Sequence, residues 1–343
     1  MRGVVFLGDR ELELRDLPDP EPGPREVIVQ MKASGMCGSD LNTYRLSREA
    51  RAKRPMNVAG HEPCGVVAAR GSGITDTEAR IGERVMVHHY SGCERCRNCR
   101  VGYTQMCLEG SKVYGGGADG GHAKFMRVLP YMLVPLPDEL TFEEGAAVSC
   151  GTGTAFLALE RLAVSGRDTL VVYGQGPVGL SATMLAKAMG ARVIVVDLSP
   201  ERLQLARDFG ADETVNVNHG DPVAAIKELT HGEGAEATLD CTGNPTARAN
   251  AVKSAVDWGR VCFVGEGNTA TFDMSPDVIH KQLTLYGSWT FSQTGQARAA
   301  RFVIDRKIPL QKLLTHRFKL EEAEPAYTLF DTQTTGKGVF VFD

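Results

Sequence analysis

The chain has 343 residues, 38 Lys and Arg against 42 Asp and Glu, and a formal net charge of −4. At about 100–200 residues per domain this length accommodates two domains, and 23% charged with 43% hydrophobic residues excludes wholesale disorder. The slightly acidic balance leaves no basic face for nucleic acid, and no apolar run reaches the ~18 residues that a membrane span requires. Glycine supplies 38 of 343 residues, about 11% against a typical ~7%, which favours tight turns and close backbone approaches.

Met1 to Phe6 run directly into Asp9-Arg10-Glu11, so no secretory segment is expected. The nine cysteines, an odd number, then read as reduced thiols of a cytoplasmic protein and not as a disulfide framework. Up to about residue 140 the chain reads as short strands and turns: Leu12 and Leu14 alternate with charges, Val27–Lys32 follows a proline-rich turn, and Val66-Val67 and Val85–Val87 are bounded by glycines.

The character changes near Thr141. Leu170–Tyr173 is predicted as a buried strand, Gly176–Met189 as a helix closed by Gly190, and Arg192–Val196 as the next strand. Ser199 and Pro200 then start a helix that ends before Gly210. Asp221-Pro222 opens another helix, and strands are expected at Ala237–Cys241 and Val261–Val264. Strand–helix alternation implies an α/β fold with a parallel sheet covered on both faces. A helix at Gln296–Arg306 and a last strand at Val339–Val341 form a tail too short for its own domain, which is expected to return to the first one.

Gly174-Gln175-Gly176-Pro177-Val178-Gly179 matches GxGxxG between a predicted strand and a predicted helix. Gly174 permits the tight turn, Gly176 lets backbone approach a pyrophosphate, and Gly179 lets the helix pack on the sheet, with free N–H groups at the helix start. Pro177 and Val178 belong to the same turn. Asp197 stands 18 residues after Gly179, where a carboxylate would bind ribose hydroxyls and repel a 2′-phosphate, which favours NAD over NADP. Arg202, in the following helix, is counted with the cofactor residues. The competing interpretation is a glycine-rich turn in a ligand-free domain.

Cys93, Cys96, Cys99 and Cys107 form C-x2-C-x2-C-x7-C. Four thiolates so spaced can close tetrahedrally around a structural zinc; an iron–sulfur cluster is the competitor, and a redox pair does not account for all four. Cys37 in Gly35–Asp40, His61 in Gly60–Pro63 and Cys150 in Ser149–Gly153 would make a three-ligand zinc site with an open position, although spacing alone does not bring them together.

These motifs, in this order, resemble the zinc-dependent medium-chain dehydrogenases: alcohol, sorbitol and threonine dehydrogenases. The resemblance implies a GroES-like, β-rich catalytic domain built from residues 1–152, completed by residues 291–343, with a Rossmann domain inserted at 153–290. It implies two zinc ions: a catalytic one on Cys37, His61 and Cys150, with Glu62 beside it as an alternate ligand or a neighbouring ion-pair partner, and a structural one on the four-cysteine lobe. It further implies Ser39 as the hydroxyl that relays the substrate proton, NAD as cofactor, a small alcohol or polyol as substrate, and a homo-oligomer, tetramer or dimer. The expected reaction is reversible oxidation of a primary or secondary alcohol, with a polyol or amino-alcohol dehydrogenase and a noncatalytic dinucleotide-binding zinc protein as alternatives. Two departures stand out: Cys150 where polyol and threonine dehydrogenases often carry a carboxylate, and Asn42 where many relatives carry a relay histidine. Tyr44 and Trp289 are placed either in the substrate pocket or in the core. His88 and His89 lie near the lobe with no assigned role.

Overall fold

The run Leu170–Tyr173 becomes the centre of a parallel sheet in the computed structural model, which describes residues 1–334 and 336–343. The strand Thr169–Tyr173 lies between Arg192–Asp197 and Ala235–Asp240. Its Val171 and Val172 are wholly buried, because helices cover both faces of such a sheet. Glu213–Asn216 extends one flank, Ala255–Phe263 and Thr284–Gly287 the other. Taken in chain order these strands stand 3-2-1-4-5-6, the doubly wound arrangement, whose switch point falls between Thr169–Tyr173 and Ala235–Asp240.

Four helices of this sheet start the same way. Pro177–Ala188, Pro200–Asp208, Pro222–Leu229 and Pro245–Lys253 follow Gly176, Ser199, Asp221 and Asn244. Proline fits the first helical position, where its missing N–H costs nothing, and in the last three the side chain of Ser199, Asp221 or Asn244 caps the next free N–H groups. The Asn244-Pro245 start, absent from the elements expected above, carries the same signal. Gly190 and Gly210 end two of the helices in the left-handed region, at φ 94° and 100°.

The other compact unit is β-rich. Its sheet runs Leu314–Phe318, Lys337–Val341, Val27–Gly35, Glu62–Arg70, Arg84–Val87, Leu133–Pro135, and Phe125–Val128 also pairs with Val27–Gly35. Lys337–Val341 pairs antiparallel with Val27–Gly35, Val339 opposite Gly35 and Val341 opposite Ala33, so the C-terminal segment joins a sheet built from the N-terminal part of the chain. Met31, Val29, Val67, Val85 and Met126 fill one core of this unit; Phe6, Met36, Tyr44, Tyr327 and Phe340 fill another. The unit comprises Met1–Gly153, Phe291–Gln333 and Lys337–Asp343, and the doubly wound one is formed chiefly by Thr154–Thr290. The helix expected at Gln296 starts earlier, at Gln293, because Ser292 Oγ accepts from Gly295 N at 3.0 Å and caps it. Among the described residues no helix is long and apolar enough to cross a membrane.

Candidate active site

Cys150 owes its position to an irregular helix. Phe142–Ala147 begins with a Thr141–Glu144 capping box and runs into a π-helical turn, Val148–Thr152, before Gly153–Arg161 resumes α geometry. Such widened turns are frequent at functional sites. Here the turn carries Cys150 to Cys37, at the end of Val27–Gly35, and to His61 and Glu62, at the start of Glu62–Arg70. One donor atom from each of Cys37, His61, Glu62 and Cys150 lies within 4.8 Å of the others, and all four residues are buried.

The spacing suits zinc. The two sulfurs are 3.9 Å apart, and a tetrahedral ion with ~2.3 Å bonds to thiolates requires an edge of about 3.8 Å. His61 Nδ1 is 2.9 Å from Asp40 Oδ1, which leaves Nε2 as the ring's free ligand atom, the usual carboxylate–histidine–zinc arrangement. Glu62 is fully buried and its Oε2 pairs with the equally buried ammonium of Lys337, while Oε1 has no hydrogen-bond partner among the described residues. An orphaned carboxylate oxygen beside two sulfurs and an imidazole is a further donor facing the same point. Ser39 Oγ lies 3.3 Å from both Cys37 Sγ and His61 Nε2.

The ionisation of this set follows from its burial. The Cys150 thiol pushes its partner Cys37 well below the ordinary thiol range and is itself driven well above it. Burial alone would lower His61, but the charges of Asp40 and Cys37 outweigh it and hold the imidazole well above 6.5. Burial raises Glu62 to about 8 against the pull of Lys337. A metal entering this site therefore displaces protons from His61 and Cys150.

Behind Asp40 runs a buried chain that no sequence motif signalled. Asp40 Oδ2 accepts from Cys37 N at 2.9 Å and from the Tyr327 hydroxyl at 3.2 Å. That hydroxyl is 2.8 Å from His122 Nε2, and His122 Nδ1 is 2.8 Å from Ser34 Oγ. With the tyrosine proton committed to Asp40, His122 donates from Nε2 and accepts the serine proton at Nδ1. Tyr327 comes from the C-terminal segment, too distant in sequence to be linked to Asp40 by pattern.

Cys93, Cys96, Cys99 and Cys107 place their sulfurs within 4.8 Å of one another. Cys107 Sγ accepts from Cys93 N and Cys93 Sγ from Cys96 N, at 3.2 and 3.3 Å. Backbone N–H groups of Leu108 and Cys99 pull Cys96 down to about 6, so this thiol is ready to bind metal near neutral pH. All nine cysteines are free thiols.

In the doubly wound unit, Gly174 turns at φ 87°, a conformation that disfavours side chains. The cap residue Gly176 has no side chain to occupy the first N–H groups of Pro177–Ala188, which suits a pyrophosphate. Pro177 and Val178 open that helix and Gly179 is buried within it. Asp197 Oδ2 accepts from Gln175 N at 2.6 Å, and Oδ1 from Leu198 N and Ser199 N at 2.7 and 2.9 Å. A carboxylate offers about four acceptor positions, so one remains for a sugar hydroxyl. Arg202, whose buried Nε has no partner among the described residues, stands in the field of Asp197.

The remaining candidates separate. Tyr44 is core: it is 3% exposed and its ring lies 5.7 Å from Phe6 and 5.5 Å from Tyr327. Trp289 is 43% exposed, within the doubly wound unit. Asn42 is exposed on the short helix Asp40–Tyr44. His89 packs its ring 5.0 Å from that of His61 and sets Nδ1 3.1 Å from the Ser149 carbonyl oxygen. His88 is buried and neutral, pushed down to about 4 by desolvation.

Comparison with known proteins accords with this geometry. Residues 23–138 match the alcohol dehydrogenase GroES-like domain and residues 177–305 the zinc-binding dehydrogenase family. The chain is 41% identical, over 100% of its length and 99% of the relative's, to an uncharacterised zinc-type alcohol dehydrogenase-like protein of Escherichia coli. It is 29% identical to sorbitol dehydrogenase of Bacillus subtilis, covering 95% and 92% of the two chains. Among solved structures, the alcohol dehydrogenase TADH of Thermus sp. ATN1 superposes with a TM-score of 0.88 at 29% identity, over 99% of each chain. With both domain types, near-complete coverage and two sets of side chains that could hold a metal in place, the chain belongs to the zinc-dependent medium-chain alcohol dehydrogenase family.

Proposed function

We propose that this protein oxidises a primary or secondary alcohol to the carbonyl compound, reversibly, with NAD as hydride acceptor and two zinc ions per chain. The observation that carries this reading is the buried set of Cys37, His61 and Cys150, with its sulfurs one tetrahedral edge apart and a serine hydroxyl beside it. A protein that only binds dinucleotide has no need of such a set next to a two-way hydroxyl.

Cys37, His61 and Cys150 would hold the catalytic zinc, and the four-cysteine lobe the structural one. The zinc, when bound, supplies Lewis acidity that lowers the pKa of an alcohol hydroxyl, and the dinucleotide supplies the hydride acceptor. The chain's own residues do the rest. Ser39 Oγ accepts the substrate's hydroxyl proton and hands on its own, since a hydroxyl both donates and accepts. With Asn42 in place of a histidine, water carries the proton onward. Asp40 keeps Nε2 of His61 unprotonated on the metal side, and Lys337 holds Glu62 in place beside the set. Gly174–Gly179 hold the pyrophosphate at the start of Pro177–Ala188, and Asp197 and Arg202 face the adenosine ribose.

A polyol dehydrogenase is the second reading, favoured by the likeness to the Bacillus subtilis sorbitol dehydrogenase; Cys150 in place of a carboxylate favours the simple alcohol. Turnover with NAD and a panel of simple alcohols, polyols and amino alcohols tests both. No turnover by the fully zinc-loaded protein on any of them would overturn the enzymatic reading.

A further inference from the structure

The switch point of the doubly wound sheet has two walls. One is the Gly174 turn. The other is built on Asp240, the last residue of Ala235–Asp240 and the register partner of Tyr173. Asp240 is fully buried. Its Oδ1 accepts from Thr242 N at 2.9 Å and Thr242 Oγ1 at 2.5 Å, and its Oδ2 from Gly243 N at 3.2 Å and Arg248 Nε at 3.4 Å. Arg248 is 9% exposed and gives its remaining groups to the next turn: Nη1 donates to Asn268 O at 3.1 Å and Nη2 to Gly265 O. Asn268 Nδ2 returns a bond to Gly243 O at 3.0 Å.

Close backbone packing locks the same pieces. A Cβ on Gly265 would strike the Gly243 nitrogen, and one on Gly174 would lie 2.5 Å from Thr242 Cγ2. The turns that follow Thr169–Tyr173, Ala235–Asp240 and Ala255–Phe263 are thus one interlocked body at the carboxyl ends of three adjacent strands. Ligands of doubly wound sheets bind outside those ends, at the switch point. Asp197 stands on the flank of Thr169–Tyr173 opposite to Asp240. A dinucleotide with its pyrophosphate at Gly176 and its adenosine ribose at Asp197 therefore extends its other half over the turns that Arg248 ties.

We propose that Arg248 is a positioning residue for the nicotinamide half of the dinucleotide. It neutralises Asp240 and fixes the Gly265 and Asn268 carbonyls, so that residues 242–244 and 265–268 present one preformed wall. Preformed walls favour binding because the ligand does not have to order them. The inference rests on the reading of Gly174–Gly179 as a dinucleotide site.

Its test compares two ligands on the zinc-loaded enzyme, NADH by fluorescence titration and ADP-ribose, which lacks the nicotinamide, by calorimetry. Arg248→Met should weaken NADH at least tenfold, raise the KM for NAD, leave kcat at saturating NAD within threefold, and leave ADP-ribose within twofold of wild type. Arg248→Lys should recover part of the NADH affinity, since an ammonium can pair with Asp240 but not span both carbonyls. Should Arg248→Met fail to fold, Asn268→Ala removes only the outer bond to Gly243 and should weaken NADH about threefold with ADP-ribose unchanged. NADH and ADP-ribose unchanged, or weakened equally, in the folded variants would overturn the proposal while leaving the dinucleotide reading intact. A wild type that binds neither ligand would overturn both.

Discussion

Asp40 Oδ1 lies 2.9 Å from His61 Nδ1, and this one contact decides which nitrogen of His61 faces Cys37 and Cys150. Asp40 stands in the same Gly35–Asp40 stretch as Cys37, so the ligand and the group that orients the neighbouring ligand enter the fold together. Asp40→Asn should lower the affinity of the first metal site for zinc about 10- to 100-fold, measured by competition with a chelator. It should also change the pH dependence. His61 in the metal-free protein is held well above 6.5 by Asp40, which stabilises that form fully below pH ~6.5 and ceases as pH rises through the raised value. Zinc has to expel this proton, so wild-type affinity should rise with pH up to that raised value, and Asp40→Asn should flatten the rise. Wild-type affinity and slope in the variant would remove Asp40 from this role.

The two metal sets should behave unequally. Cys37→Ser should abolish turnover and remove one of two zinc ions while the fold persists, whereas Cys96→Ser should lower stability, because a closed structural site contributes folding free energy. Metal analysis of fully loaded wild type that returns a single zinc would contradict this. Since Cys96 sits near 6, its thiolate form, and the stabilisation that comes with it, is lost as pH falls through that value. Below pH ~6 zinc must also displace this proton, so the lobe's affinity for zinc should fall more steeply on acidification there.

Asp197 uses three of its acceptor positions on backbone N–H groups, so its place is fixed before any ligand arrives. A 2′-phosphate would meet that charge directly. The enzyme should prefer NAD, and Asp197→Ala should narrow or invert the preference. Equal kcat/KM for NAD and NADP in the wild type would show that Asp197 does not face the ribose.

Ser39 and Asn42 should differ in weight. Ser39→Ala should cost about 10²-fold in kcat, the range for a lost proton-transfer group, while Asn42→Ala should cost little and Asn42→His should raise the rate mainly at low pH. An Asn42→Ala variant as impaired as Ser39→Ala, with zinc and NAD still bound, would give the amide a direct role.

His88 and His122 are buried, and desolvation pushes each down to about 4. Their unfolded counterparts take up a proton near 6.5. The stability that comes from keeping them neutral is complete above ~6.5 and is lost as pH falls toward ~4, at up to about 1.4 kcal/mol per pH unit for each. His88→Phe should remove about one proton from the acid slope of urea unfolding, read as the difference from wild type so that zinc loss common to both cancels. An unchanged slope between pH 6 and 4.5 would mean that His88 is not held neutral.

Local chemistry written within a few residues was legible in the sequence. Ser199-Pro200 and Asp221-Pro222 announce helix starts, Gly174–Gly179 announces a glycine turn between a strand and a helix, and four cysteines within fifteen residues announce a cluster of sulfurs, because capping, turn formation and short-range clustering depend only on neighbouring residues. The family resemblance supplied the pairing of Cys37 and His61 with Cys150, which periodicity alone does not reveal. Tertiary structure decided the remainder: the π turn that aims Cys150, Lys337 beside Glu62, Tyr327 and His122 behind Asp40, and Arg248 across two turns. Tyr44, open as pocket or core in the sequence, is core because Phe6 and Tyr327 close over it. These are single polar or aromatic side chains satisfied by partners far away in the chain. A buried charge must find such a partner to be tolerated, but nothing in its immediate sequence says which one.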